Sequence, residues 1–484
     1  MKYIYTILLI LLSTTAFCAG SDTIRLTLHD VVELAKGNSI ASKQAVTTRE
    51  TKYWQWRTFK SNYNPQLSLT GNLPGYSKTS LQVLQPDGSI LFQPIHNDNS
   101  EMTLNFSQSI TATGATIYGQ TQLQRFDDFD RHNVLYNGVP YAIGISQPLG
   151  QYNSLKWEKR IQPLLYNESK QAYIEAQEQI SITATGYFFD LLLAQVNLHI
   201  AQTNYSNTEN ILNIANAKFQ MGKITRNEIL QLQLELLNAK KAVGNAKRDM
   251  ELATLTLRSY ISQEGDDRIT LVVPESISSM TVSADRVLEE AYANRSDAIA
   301  FVRRIAEARR DVAIAHGQTG LTAALTANLG TSNAASNIAG VYRSPQTQEL
   351  IQLTFTIPVL DWGRSKSKIK TAEANEKFTE YAVEQDKQTF KQQIVTQVTL
   401  FNQMKEQVGL TAQADSIAGE KYQIAKERYV LGNLSITDLS IAFQENDQAK
   451  RDYVAALRDF WSAYYQLRYL SLFDFDANQK ITYK

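Results

Sequence analysis

Cysteine is almost absent from this chain: Cys18 is the only one among 484 residues. It lies in a stretch that is typical of a secretory signal, with Lys2 at its start, apolar residues over 4–12 and mostly small residues over 13–20. We therefore expect residues 1–20 to be a signal peptide, with Cys18 either removed with it or lipidated. In both cases no disulfide is expected, so packing or oligomerisation must hold the secreted chain together.

Long apolar runs are missing as well. After the signal, no stretch of about 18 apolar residues occurs, which excludes a bundle of membrane-spanning helices. Basic and acidic residues balance at 48 each, which argues against a nucleic-acid partner. Only ten prolines and 22 glycines are present, which indicates few loops and much regular structure.

Enzyme motifs are also lacking. The sequence has no phosphate-binding glycine loop and no Gly-x-Ser-x-Gly elbow. Its histidines are scattered without the spacing of metal ligands; they are His29, His96, His132, His199 and His316. We therefore expect no catalytic residue, no cofactor and no metal site.

What the sequence does contain is an internal duplication. The segment AKFQMGKIT around Gly222 reappears as ERYVLGNLS around Gly432, 210 residues later. At the same shift of 210, Pro148 falls on Pro358. Two separate landmarks thus share one offset.

A second offset holds upstream of these landmarks. Val31 falls on Val287 and Leu69 on Leu325, both at a shift of 256. The difference, 256 minus 210, means that the first half carries 46 extra residues between Leu73 and Pro148. We predict two structural repeats, 21–262 and 281–472, joined by a linker over 263–280 and followed by a tail over 473–484.

The segments around the two prolines alternate with a period of two residues. Leu104 and Phe106 alternate with Asn105 and Ser107, and the same pattern recurs in the second half. It predicts strands within 65–149, at 321–330 and at 350–359. One apolar and one small polar face are typical of a membrane barrel, although a half-buried strand in a soluble sandwich has the same pattern.

Between the strands the sequence favours helices. The segments 154–219 and 364–429 are rich in Ala, Gln, Glu and Lys, and at about 1.5 Å per residue each would be roughly 100 Å long. Shorter helices are predicted at 30–63, 225–261, 285–316 and 435–472. Since two shorter helices end to end match one long helix, we expect long antiparallel helical hairpins.

The duplicated glycine segments predict helix-to-helix turns. Gly222 can adopt the positive φ that ends a helix, and Thr225 can then cap the next helix. Glu228 lies three residues beyond that cap, as in a capping box. Ser435 and Asp438 have the same spacing after Gly432.

This combination resembles the TolC-like outer-membrane efflux proteins over residues 24–472. The turns FQMGKITRNE and YVLGNLSITD, and a proline before each long helix, carry the resemblance. It implies a fold that is mainly α with a small transmembrane β-barrel, the helical hairpins forming an α-barrel. It also implies a homotrimer with four strands from each copy, and therefore a barrel of twelve strands.

The resemblance assigns roles to residues of this sequence. The periplasmic tip, where an adaptor would dock, would comprise Phe219, Gly222, Thr225, Glu228, Tyr429, Gly432, Asn433, Leu434, Ser435 and Asp438. The strand-to-helix corners would comprise Pro148, Pro358, Trp362 and Gly363. Leu434 and Ile441 stand where family members often carry charged or polar residues, which suggests an apolar gate.

The extra residues of the first half have two interpretations. We expect them, over 74–140, to form an extracellular insertion shaped as a flap. The alternative is that they add two strands to the barrel, because Thr113-Gly114 lies between two segments with a period of two.

The function implied by the resemblance is an outer-membrane exit duct for a tripartite efflux or type I secretion system. Its partners would be copies of itself, a periplasmic adaptor, an inner-membrane pump of the RND or ABC type, and outer-membrane lipid. It would lie in the outer membrane of a Gram-negative cell and extend into the periplasm. The alternative is a periplasmic coiled-coil adaptor or a structural envelope protein without a pore.

Overall fold

The computed structural model of the chain describes residues 23–265, 267–274, 277, 280–431 and 433–483. The expected signal peptide with Cys18, and also Gly432, lie outside the described residues. The chain divides into two compact units. The helical unit comprises the described residues within 1–49, 171–295 and 389–484, and the sheet unit comprises residues 50–170 and 296–388.

Helices form most of the described chain. They are α1 (Leu28–Asn38), α2 (Ile40–Ser61), α3 (Ser154–Gln220), α4 (Arg226–Tyr260), α5 (Ala284–Asn294), α6 (Ser296–Gly317), α7 (Ile338–Arg343), α8 (Arg364–Val430) and α9 (Ile436–Ser471). The two long helices, α3 and α8, have 67 residues each and lie close to the predicted ranges 154–219 and 364–429. Within the described residues, no helix is both long and apolar enough to cross a membrane.

Two of the predicted helices are broken, so those predictions are wrong in their continuity. The predicted helix 30–63 is interrupted at Ser39, whose ψ of 150° is extended. The predicted helix 285–316 is interrupted at Arg295, with a ψ of 147°. The Ser39 hydroxyl accepts a hydrogen bond from Ser42 N at 3.1 Å and so caps α2. Gly37, two residues before Ser39, was an available signal for the first break, whereas no glycine or proline lies near Arg295.

The strands are β1 (Thr23–Leu26), β2 (Gln66–Asn72), β3 (Tyr76–Leu84), β4 (Ile90–Ile110), β5 (Ala115–Asp128), β6 (Asn133–Leu149), β7 (Arg268–Leu271), β8 (Thr322–Ala335), β9 (Gln346–Thr356), β10 (Phe473–Asp474) and β11 (Gln479–Lys480). The main sheet has the order β2-β4-β5-β6-β8-β9, and all its pairs are antiparallel. Strand β3 pairs only with residues 90–98 of β4.

The main sheet has one apolar and one polar face. Directly paired residues of antiparallel strands share a face, so the register defines both faces. The apolar face carries Leu67, Leu69, Met102, Leu104, Phe106, Ile117, Ile143, Ile145, Leu325, Leu329, Ile351, Leu353 and Phe355. Several of these side chains are strongly exposed in the single chain, for example Leu67 at 69% and Ile351 at 82%. A large exposed apolar surface of this kind requires a partner, either lipid or protein.

The insertion at 74–140 differs from the prediction. Only β3 and the first residues of β4 form a hairpin off the main path, around the turn at Gly88. The rest of β4 and all of β5 lie within the main sheet, between β2 and β6. The chain therefore has six strands along this path rather than four, and the prediction of a flap is wrong for residues 99–128.

The helical unit has a densely packed interior. Phe188 and Phe189 on α3 are fully buried, as are Phe401 on α8 and Phe460 on α9. The rings of Phe401 and Phe460 are 5.4 Å apart. Two small sheets complete this unit, the parallel pair β1–β7 and the antiparallel pair β10–β11.

Candidate functional site

The first candidate turn connects α3 and α4. Lys223 N donates to Lys218 O at 2.9 Å, and Gly222 N donates to Phe219 O at 2.9 Å. Together these two bonds form a Schellman motif, in which the residue after the helix is left-handed. Gly222 occupies that position with a φ of +68°. The helix therefore ends where the sequence predicts.

A capping box begins α4. Thr225 Oγ1 accepts from Glu228 N at 3.4 Å, and the Glu228 carboxylate accepts from Thr225 N at 2.6 Å. These bonds satisfy backbone N–H groups that have no partner within the helix. Hydrogen bonds from the Thr225 backbone and hydroxyl to the carboxylate lower the pKa of Glu228.

The second candidate turn, between α8 and α9, has a similar geometry. Asn433 N donates to Arg428 O at 2.9 Å, the same spacing of five residues as in the first turn. The Ser435 hydroxyl accepts from Asp438 N at 3.1 Å and donates to the Asp438 carboxylate at 2.7 Å. Thr225 and Ser435 thus both cap the helices that follow them.

The two turns lie side by side. Ala215, Ile229 and Leu232 form a buried cluster next to the first turn, and Ile436 from the second turn packs against it. Lys218 Nζ lies 5.0 Å from the centre of the Tyr429 ring, which joins the ends of α3 and α8. We name residues 219–228 and 429–438 the tip turns, and the structure brings them together as one surface.

The residues assigned to docking differ in accessibility. Tyr429 is 8% exposed and packs with Leu439 and Ala442, so its ring stabilises the turn from inside. Burial also raises the pKa of the Tyr429 hydroxyl. Phe219 is 38% exposed, while Asn433, Ser435 and Asp438 are exposed.

The two residues assigned to a gate have different surroundings. Leu434 is partly buried against the cluster of Tyr422, Leu439 and Ala442. Ile441, two residues after Leu439 on α9, is 48% exposed. Leu434 therefore contributes to packing within the chain, and Ile441 presents an apolar side chain to its surroundings.

Further along the same helices is a polar pair that the sequence analysis did not identify. Asp447 on α9 is 7% exposed, and its carboxylate accepts from Asn204 Nδ2 on α3 at 2.8 Å. Burial raises the pKa of Asp447, although the bond from Asn204 opposes this effect. Both residues line an open groove of about 810 Å³. In the sequence Asp447 lies in a polar run, Gln-Glu-Asn-Asp-Gln over 444–448, so nothing there indicated that its carboxylate is buried.

The corner between β9 and α8 is built around Asp361. Its carboxylate accepts from Gly363 N at 3.0 Å and from Ser365 N at 2.9 Å. Trp362 and Gly363 both have positive φ, at +55° and +84°, and Trp362 is 89% exposed. Pro358 lies two residues after the end of β9, while Pro148 lies within β6 and pairs with Ala324 of β8.

Comparison with known proteins connects this architecture to a family. Residues 287–471 match the family model described as outer membrane efflux protein. No curated protein matches the chain.

Several solved structures share the fold. The CmeC outer membrane channel of Campylobacter jejuni is similar with a TM-score of 0.62 and 17% identity, over 94% of this chain and 87% of that one. The outer membrane protein VceC of Vibrio cholerae has a TM-score of 0.63 and 16% identity, over 94% and 97% of the two chains. The MtrE outer membrane channel of Neisseria gonorrhoeae has a TM-score of 0.60 and 16% identity, over 92% and 88%.

The family match and the shared fold both agree with the resemblance that the sequence predicts. The matched segment contains α8, the second tip turn and α9. The predicted resemblance to the TolC-like outer-membrane efflux proteins is thereby confirmed, by the family model over residues 287–471 and by the shared fold over most of the chain.

Proposed function

We propose that three copies of this chain assemble into the exit duct of a tripartite system, and that the tip turns dock a periplasmic adaptor. The adaptor would connect the duct to an inner-membrane pump of the RND or ABC type. The observation that carries this proposal is the pairing of two capped turns into one surface, next to exposed apolar side chains.

Those apolar side chains lie on or beside the tip turns. Met221 is 61% exposed, Val430 is 59% exposed and Leu431 is 75% exposed. Large apolar side chains at a rigid, hydrogen-bonded turn are typical of a protein-binding surface. The buried ring of Tyr429 stabilises this surface from beneath.

The order of the elements supports the proposal of two structural repeats. Apart from the six-residue α7, helices of 11, 22, 67 and 35 residues in the first half are followed by helices of 11, 22, 67 and 36 residues in the second half. Each long helix is preceded by an antiparallel strand pair. A periplasmic adaptor without a pore would leave the broad apolar face of the main sheet unexplained.

Docking at the tip turns is testable by cross-linking in cells. Asn433 is exposed, so a cysteine with a photoactivatable cross-linker at this position (Asn433→Cys) should form adducts with a periplasmic adaptor. The matched control is Asp87→Cys, an exposed position in the turn between β3 and β4, which should form none. Adducts absent from Asn433→Cys and also from Phe219→Cys would overturn docking at this surface.

A further inference from the structure

Residues 99–128, which we name the added hairpin, belong to the excess of 46 residues in the first half. We infer that the added hairpin is part of the membrane wall, so that each copy contributes six strands and three copies enclose eighteen. This inference rests on the proposed trimeric duct. It changes the number of strands in the barrel, and therefore its width, but not the proposed function.

Strand β5 is an interior strand of the main sheet. It pairs with β4 continuously from Asp128 to Ala115. On its other side it pairs with β6 from Thr116 to Asp128, with one irregularity between Gln120 and Gln122. A raised flap would leave one side of this strand unpaired. Both sides are hydrogen-bonded over nearly the full length.

The two faces of the added hairpin continue those of the main sheet. Met102 pairs with Leu123 on the apolar face, next to Leu104. Asn105 pairs with Gln120 on the polar face. Apolar and polar side chains are expected to alternate along a strand of a membrane wall, because each strand has lipid on one side and an aqueous lumen on the other.

The inner turn of the added hairpin, residues 111–114, is attached to the strand-to-helix corner. Asn153 Nδ2, just before α3, donates to Thr111 O at 2.9 Å. Gln147 Nε2 in β6 donates to Thr113 O at 3.0 Å. The added hairpin therefore extends to the end of the sheet where β6 leads into α3, as a wall strand must.

A ring on the added hairpin also covers a glycine of β6. Tyr118 pairs with Gly144, and a Cβ at Gly144 would lie only 2.3 Å from the Tyr118 ring. The aromatic ring thus occupies the space that a side chain would need. This contact fixes the added hairpin against β6 on the polar face.

The edges of the sheet indicate how the wall closes. Among the described residues, β2 and β9 are the two ends of the path. Strand β2 follows α2 and β9 precedes α8, so the two edges run in opposite directions along the sheet. The edge β2 of one copy can therefore pair antiparallel with β9 of a second copy. Six strands from each of three copies give eighteen, and since barrel diameter grows roughly linearly with strand number, the wall would be about 1.5 times as wide as one of twelve strands.

Single cysteines carrying a bimane fluorophore test whether the added hairpin is in the wall. The protein is reconstituted in vesicles whose lipids bear brominated acyl chains, which quench nearby bimane. We expect quenching at Leu123→Cys and not at Gln122→Cys. The matched pair on β9, Leu353→Cys and Gln352→Cys, should behave in the same way, and the unmodified chain gives the background from Cys18.

The outcomes separate this inference from the proposed function. Quenching at Leu353→Cys without quenching at Leu123→Cys would overturn the six-strand wall and leave the duct intact. Absence of quenching at both positions would contradict the duct itself. An electron cryo-microscopy reconstruction of the unmodified protein gives an independent result: eighteen strands support the inference, and twelve overturn it.

Discussion

At the scale of single residues, the tip turns depend on a few backbone and side-chain geometries. Gly222 has a left-handed backbone, and nothing lies within 4 Å of the position of its missing Cβ. Glu228 and Thr225 bind each other's backbone across the first turn of α4. These interactions are local, so substitutions there change backbone strain or capping without creating a steric clash.

We expect Gly222→Ala to destabilise the first tip turn by about 1–2 kcal/mol, because an L-residue is strained at positive φ. The matched control is Gly244→Ala, inside α4, where the space around the Cβ position is also free. There alanine should stabilise the helix by about 1 kcal/mol. Thermal unfolding of the purified protein should show midpoint shifts of opposite sign. Equal shifts for both variants would contradict the Schellman geometry.

The capping box should make the start of α4 sensitive to pH. Because the pKa of Glu228 is lowered from its usual value of 4.5, the stabilisation is fully present above that value and is lost as the pH falls through the lowered pKa. Hydrogen-exchange protection of the first turn of α4 should therefore decrease below about pH 4.5. In Glu228→Gln this pH dependence should be absent. An unchanged profile would show that the carboxylate does not cap the helix.

At the scale of elements, a buried ion pair attaches the C-terminal tail to the long helices. Glu178 on α3 is fully buried, and Arg468 Nε on α9 binds its carboxylate at 3.1 Å. Arg468 also binds Asp474, and the Tyr483 hydroxyl donates to Glu178. The described part of the predicted tail, residues 473–483, therefore packs on α3 and α9 through a hydrogen-bonded network.

We expect Glu178→Gln to destabilise the protein by about 3–5 kcal/mol, because it leaves the mostly buried Arg468 without its main counter-charge. A double variant, Glu178→Gln with Arg468→Met, should recover part of that loss. Denaturant unfolding followed by circular dichroism measures both effects. A double variant less stable than the single one would show that the two charges do not compensate each other.

At the scale of the whole molecule, the apolar residues at the tip turns should matter for assembly rather than for folding. We expect Leu431→Asp with Met221→Asp to leave the protein in the outer membrane and to abolish efflux, because charges would oppose burial against an adaptor. Membrane fractionation and retention of a fluorescent dye by cells measure the two outcomes. Leu84→Asp, an equally exposed position at the end of β3, is the control and should retain efflux. Normal efflux in the double variant would refute an apolar docking surface.

Much of this architecture follows from local patterns. The ranges of α3 and α8 could be read from the sequence to within about one residue, because glycines lie just outside them, such as Gly222 after α3 and Gly363 before α8. The caps at Thr225 and Ser435 could be predicted as well, since their partners are three residues away. The break at Arg295 could not, because no glycine or proline lies near it, whereas Gly37 was an available signal for the break at Ser39.

The sequence by itself determined which segments alternate, which are helical and where the turns between them lie, since these properties depend on residues a few positions apart. Only the tertiary structure decided which strands are neighbours. Residues 99–128 have the same alternating pattern whether they form a separate hairpin or part of the sheet, because period-two alternation specifies a face and not a partner. Hydrogen bonds to β2 and β6, and the contact of Tyr118 with Gly144, place these residues within the main sheet.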